Sequence, residues 1–168
     1  LDTIFDTDGN DDPFDFLTGN LDDIRGDLNI IFGDGRHGLM VSDEAATVGD
    51  ENVVITDIEP DLPARNNLNP DAEIWLTGLN FSDGINFGSI SYEVDPAGDL
   101  FEGVVYWTGS GNDTIDIDGT HYRDGERTAT VLHTGLGDDD VTVNLNEGED
   151  GFFVLNTTGG GDMPGIKG

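Results

Sequence analysis

Short apolar runs of similar length recur along the chain, parted by stretches crowded with Gly, Asn and Asp. Val104-Val105-Tyr106-Trp107, Thr130-Val131-Leu132 and Val141-Thr142-Val143 are β-branched and aromatic, the composition that fits a pleated strand. Ile115 and Ile117 alternate with Asp116 and Asp118, and Val141, Val143 and Leu145 alternate with Thr142 and Asn144, so these strands bury one face. No segment sustains a helical apolar period, and Asp43 to Thr47 offers enough for a single turn only. The pattern predicts an all-β chain.

The runs belong to a repeat. GVVYWTGSGNDTIDIDG from Gly103, TATVLHTGLGDDDVTVNLN from Thr128 and FFVLNTTGGGD from Phe152 each place a strand-like run before a glycine turn and an acidic residue. Their turn glycines Gly109, Gly135 and Gly159 are 26 and 24 positions apart. LNIIFGDGRHGLMV from Leu28 has the same shape, with Gly33 and Gly35 in its turn, and Asn52–Ile58 and Glu73–Leu79 read as more degenerate copies. The opening DTIFDTDGNDD, from Asp2, resembles the closing LNTTGGGD. A spacing of roughly 25 residues lies within the window of stacked repeats, which bury a continuous core only by piling one unit on the next. The expected fold is therefore a parallel β-solenoid, or β-helix, with coils of about 25 residues over residues 1–168 as a single module. Pro60–Pro70, with three prolines, reads as an excursion from that stack. Turn signals at regular spacing also fit a β-sandwich, the alternative architecture.

Composition narrows the partners. Thirty-six acidic and 6 basic side chains give a formal net charge of -30, which repels phosphate backbones and anionic lipid and leaves cations as the natural counterparts. No apolar run approaches the ~20 residues needed to span a bilayer, and the N-terminus lacks a signal pattern, so the chain reads as a mature segment or an excised fragment. With no cysteine, stability falls to burial, hydrogen bonding or a bound ion. Packed carboxylates destabilise a compact state unless metal or salt screens them. That leaves a calcium-binding extracellular protein or one adapted to high salt.

Thr108–Asp116 (TGSGNDTID) and Thr134–Thr142 (TGLGDDDVT) resemble the glycine-rich nonapeptide G-G-x-G-x-D-x-U-x of RTX proteins, the haemolysin-type calcium-binding repeats, with Thr in place of the first glycine. Gly109, Gly111, Asp113 and Ile115 fall on the pattern in one copy, and Gly135, Gly137, Asp139 and Val141 in the other. In the third copy Met163 stands where Asp belongs, with Asp162 as a partial substitute. The wider arrangement is similar to tandem modules of giant secreted bacterial proteins. The resemblance implies Ca²⁺ held by Asp113, Asp139, Asp140 and Asp162 with the carbonyls of Gly109, Gly111, Gly135 and Gly137, since calcium takes 6–8 oxygen ligands. Asp11, Asp12 and Asp34 are weaker candidates. Against this stands the fact that Asp and Asn beside Gly are ordinary turn residues.

Catalytic signals are thin. His37, His121 and His133 are scattered, and His133 reads as a strand residue rather than a base. Arg123 and Arg127 flank the Asp124-Gly125-Glu126 turn as local ion-pair partners. Trp75, Tyr92, Tyr106 and Trp107 fit core or edge packing better than a carbohydrate platform. No nucleophile motif, phosphate loop or zinc spacing is present.

The expected function is a non-enzymatic, calcium-stabilised structural module of an extracellular or cell-surface adhesin, surface layer or filament. Its expected partners are copies of itself or neighbouring modules, stacked head to tail as a tandem array or filament, with carbohydrate a further candidate. The rival reading is a β-helical carbohydrate-active enzyme of lyase or epimerase type, or the RTX segment of one.

Overall fold

The computed structural model describes residues 20–21, 24, 26–60, 69–79, 88–126, 128–157 and 163–167, the last five by their backbone. The opening repeat-like segment with Asp11 and Asp12, most of the Pro60–Pro70 stretch and Asp162 lie outside the described residues. The described elements are all strands: β1 (Leu28–Phe32), β2 (Gly35–Ser42), β3 (Val53–Thr56), β4 (Ile74–Thr77), β5 (Ser89–Val94), β6 (Gly98–Trp107), β7 (Thr114–Ile117), β8 (Ala129–His133), β9 (Asp140–Asn144), β10 (Phe152–Asn156) and β11 (Met163–Lys167). Asp43 to Thr47 contributes the expected single turn, closed by a hydrogen bond from the Ala46 amide to the Asp43 carbonyl.

Two sheets enclose one core. The first has seven strands in the order β1-β5-β4-β3-β7-β9-β11, and the second has four in the order β10-β8-β6-β2. Alternation sets the faces: Val104, Tyr106 and Leu132 of the second sheet point inward and are buried, while Val105, Trp107, Val131 and His133 alternate outward. From the first sheet Val53, Ile55, Ile115, Ile117, Val141 and Val143 meet them in one contiguous cluster. His133 is a ladder residue, paired with Trp107 across the sheet and stacked on it at 3.9 Å.

The uniform parallel solenoid does not form. The four-stranded sheet is parallel throughout, but β4 runs antiparallel to both β3 and β5 within the larger sheet. The sheets therefore hold unequal numbers of strands and cannot be matched coil for coil. The cause lies in β4 itself. Ile74, Trp75 and Leu76 are all buried, so the strand needs a neighbour on either side and cover on both faces. It obtains them by the chain reversing after β3 and again after β4. Spacing is uneven too: Val104 pairs with Thr130, but Leu39 with Val104 and Ile30 with Tyr92, more than sixty positions away. The alternative sandwich of antiparallel layers fails for the opposite reason, since parallel pairs such as β7 with β9 and β6 with β8 dominate the ladders.

Candidate functional site

The glycine turns that carry the candidate residues join β6 to β7 and β8 to β9. Because β6 pairs with β8 and β7 with β9 in one register, Trp107 opposite His133 and Thr114 opposite Asp140, the two turns lie directly one on the other. Their backbones touch. A methyl group built on Gly135 would sit 1.7 Å from the Gly109 carbonyl oxygen, and one on Gly137 would sit 2.0 Å from that of Gly111. Gly135 also has a φ of 74°, a region that favours glycine. The glycines are thus required by the approach of one turn to the next.

Hydrogen bonds fasten the stack. The Leu136 amide donates to the Gly109 carbonyl at 3.0 Å, the Asp140 amide to the Asp113 carbonyl at 2.8 Å, and the Asp138 amide to Asn112 Oδ1 at 3.0 Å. The Thr108 hydroxyl donates to the Thr134 carbonyl at 3.0 Å. That contact gives the Thr108 hydroxyl a partner where the nonapeptide has its first glycine, while Thr134 Oγ1 is buried with no hydrogen-bond partner among the described residues.

Asp113 and Asp139 are brought together and buried, at 3% and 2% exposure, and each carboxylate faces the turn that precedes it. Asp139 Oδ1 accepts the Asp113 amide at 3.0 Å, and Asp113 Oδ1 accepts the Asp50 amide at 2.8 Å. Burial pushes the Asp113 carboxyl above its ordinary pKa, and the charge of Asp139 adds to the rise. Asp140 is exposed at the start of β9 and stands apart from the buried pair. Asp34 is exposed in the β1–β2 turn. Met163 pairs with Asp140, so it does not stand opposite Asp139 as the repeat alignment had placed it.

A third turn, residues 43–50, belongs to the same stack and escaped the repeat template, which had placed the upstream turn at Gly33–Gly35. The Ser110 amide donates to the Ala46 carbonyl at 2.9 Å and the Thr114 amide to the Asp50 carbonyl at 2.9 Å, as the Leu136 and Asp140 amides do one turn later. Asp43, with 0% exposure, accepts the Leu21 amide at 2.7 Å. The usable signal was Gly49-Asp50 shortly before Val53-Val54-Ile55, matching Gly111-Asn112-Asp113 before Ile115.

Gly109 O, Asp113 O, Asp113 Oδ1 and Asp139 Oδ1 each receive an amide, while Asp113 Oδ2 is buried with no hydrogen-bond partner among the described residues. Among the described residues no group of three or more His, Asp or Glu side chains is disposed to hold a metal.

A second polar cluster binds the connection after β7 to the sheet. Arg123 donates Nε and Nη2 to Glu73 Oε1 at 2.9 and 2.8 Å, and Nη1 to the carbonyls of Asp95 and Gly98 at 2.8 and 3.1 Å; Nη2 also reaches the Val94 carbonyl. The expectation that Arg123 pairs within its own turn is corrected: its partner lies fifty positions away, ahead of β4. Glu73 Oε2 accepts the Val94 amide at 2.9 Å and meets His121 Nε2 at 3.3 Å, while His121 Nδ1 contacts Thr128 Oγ1 at 2.9 Å. Burial opposes charge on Glu73, but hydrogen bonds from His121, Arg123 and Val94 outweigh it and hold the pKa down to about 2. Trp75, Tyr92 and Tyr106 are core residues and present no platform. No family model, curated protein or solved structure matches the chain.

Proposed function

We propose that the protein is a non-enzymatic structural module of an extracellular or cell-surface assembly, which receives a further module on its C-terminal side. The observation that carries this reading is the last pair of strands. β10 has only β8 beside it and β11 only β9, so both sheets end there on unpaired parallel edges among the described residues. Phe152 and Val154 of β10 are 53% and 40% exposed. An apolar edge of this kind is a template for strand addition, and soluble proteins ordinarily blunt such edges. The opposite side is built differently, since β4, β5 and β1 extend the larger sheet past β3 while the smaller one ends at β2. Two unlike ends favour head-to-tail over head-to-head contact. The partner is another copy or a neighbouring module, and the net charge of -30 makes the contact dependent on screening by salt.

Electron microscopy and light scattering at rising NaCl test the reading. Particles should lengthen in one dimension with salt, and Val154→Lys should keep the circular dichroism spectrum while abolishing lengthening. Single particles of unchanged length at every salt and protein concentration would refute it.

A further inference from the structure

We infer that the rung added beyond β10 and β11 is the opening segment of a second copy, Asp2 to Phe16. The inference rests on the head-to-tail reading and names the piece of chain that makes the contact. Two rungs of the stack share one sequence pattern. Tyr106 and Leu132 stand two positions before Thr108 and Thr134, and Asp113 and Asp139 follow those threonines by five. Ile115 and Val141 come two positions after each aspartate, Ile117 and Val143 four. Register turns the pattern into columns of the core, since Tyr106 pairs with Leu132, Ile115 with Val141 and Ile117 with Val143, all of them buried. The opening segment repeats it without a gap: Phe5, Thr7, Asp12, Phe14 and Phe16 stand at the same intervals.

The last described rung lacks a cover for these columns. Val104, Tyr106, Thr130 and Leu132 are at most 1% exposed, whereas Phe153 and Leu155, paired with Thr130 and Leu132 in the next strand out, are only partly buried. One rung further, Thr3 falls on Phe153 and Phe5 on Leu155, while Phe14 and Phe16 take the register of Pro164 and Ile166. One stack bond is given up, because Pro13 stands at the position of Thr114 and Asp140 and has no amide to donate.

Among the described residues only this end can take both halves of a rung. A rung adds a strand to each sheet, and on the other side β4 already holds the edge of β3. The segment cannot reach the far end of its own chain. Leu21 is bonded to Asp43, the residue after β2, and lines a cleft with Leu76 of β4 and Ile90 of β5. From β2 the added strand lies four strand spacings away, roughly 19 Å along the stack, and Phe16 stands a further ~13 Å along its strand from Asp12. The five residues from Phe16 to Leu21 span at most ~18 Å. The donor is therefore another copy.

The test compares the double variant Phe5→Lys/Phe14→Lys with the edge variant Val154→Lys, at a NaCl concentration where the wild type lengthens. Lysine lowers the net negative charge, so lost length cannot come from added repulsion. Each variant alone should stay as single particles. Mixed, they should give particles of two copies, since one keeps the opening segment and the other keeps the open edge. A synthetic peptide of residues 1–19 should stop wild-type lengthening and slow amide exchange in Phe152–Asn156 and Met163–Lys167. The same peptide with both lysines should do neither, and this arm decides even where the double variant does not fold. Lengthening by the double variant, or a wild-type peptide that neither stops growth nor slows exchange, overturns the inference and leaves head-to-tail assembly standing. A wild type that never lengthens overturns both.

Discussion

The hydroxyls of Tyr92 and Tyr106 meet at 2.9 Å in the middle of the core, one from each sheet. Both residues are about 1% exposed, and burial raises the pKa of each, so the pair stays neutral with one hydroxyl donating to the other. Tyr106→Phe removes one partner and strands the other, which should cost about 1–3 kcal/mol. Tyr92→Phe should cost a similar amount. The double change removes both polar groups at nearly constant volume and should recover most of the loss. Urea unfolding of the four proteins gives the coupling; additive losses would show that the hydroxyls do not act as a pair.

Gly135 and Gly125 separate backbone strain from stacking. Both have positive φ, 74° and 81°, but a methyl on Gly125 meets nothing within 4 Å while one on Gly135 meets the Gly109 carbonyl. Gly125→Ala should cost about 1–2 kcal/mol, the penalty for an L-residue in the left-handed region. Gly135→Ala adds a backbone collision that no rotamer change relieves, and about 3 kcal/mol or more is expected. Equal losses in chemical denaturation would mean that the turns do not press on each other.

The parts legible in the sequence are local ones. The alternation of Ile115 and Ile117 with aspartates shows a half-buried strand, and Thr-Gly-x-Gly before Asp marks the turns at 108 and 134, because strand faces and turn backbones are decided by a few neighbouring residues. The direction of β4 was hidden. Ile74-Trp75-Leu76-Thr77 has the composition of another parallel rung, and nothing in those four residues states whether the chain arrives from above or below. Register and direction are settled by what the strand meets across the sheet. The same holds at the site. The resemblance of their turns to the nonapeptide singles out Asp113 and Asp139, but that each carboxylate accepts the amide of the preceding turn depends on how closely the turns pack, as Gly135 does against Gly109. Asp50 escaped notice because its turn lacks the Thr-Gly-x-Gly string that marked the others.

Arg123 ties the β7–β8 connection to Glu73 and, through the Asp95 and Gly98 carbonyls, to the β5–β6 turn. Its planar fork meets Glu73 Oε1 with two nitrogens and the carbonyls with the rest, a geometry that a lysine ammonium cannot reproduce. Arg123→Lys should therefore recover little of what Arg123→Ala loses, about 2–4 kcal/mol given that Glu73 is left half-buried with one cation gone. The check is calorimetry of both variants together with proteolysis, which should cut first near Asp124–Glu126. A lysine variant as stable as the wild type would contradict the fork.

Acid should first strengthen and then weaken the fold. Glu73 has a folded pKa of about 2 against an ordinary 4.5, so it contributes stability above 4.5 that is lost as pH falls towards 2. Asp113 acts in the other sense. Its folded pKa lies above 3.8, so the folded state takes up a proton before the unfolded one, and stability rises as pH falls through the folded value. Neutralising part of the -30 charge pushes the same way by relieving repulsion. The unfolding midpoint, followed from pH 7 to pH 2.5 at fixed ionic strength, should pass through a maximum in mildly acid solution and drop steeply below it. Glu73→Gln should lower the plateau and flatten that drop, because the group that loses its charge there is gone. Asp113→Asn should shrink the rise on the neutral side while leaving the acid limb in place. A midpoint that is flat above pH 4.5 and only falls below it, with no maximum, would show that buried charge at Asp113 and surface repulsion together weigh less than the Glu73 cluster.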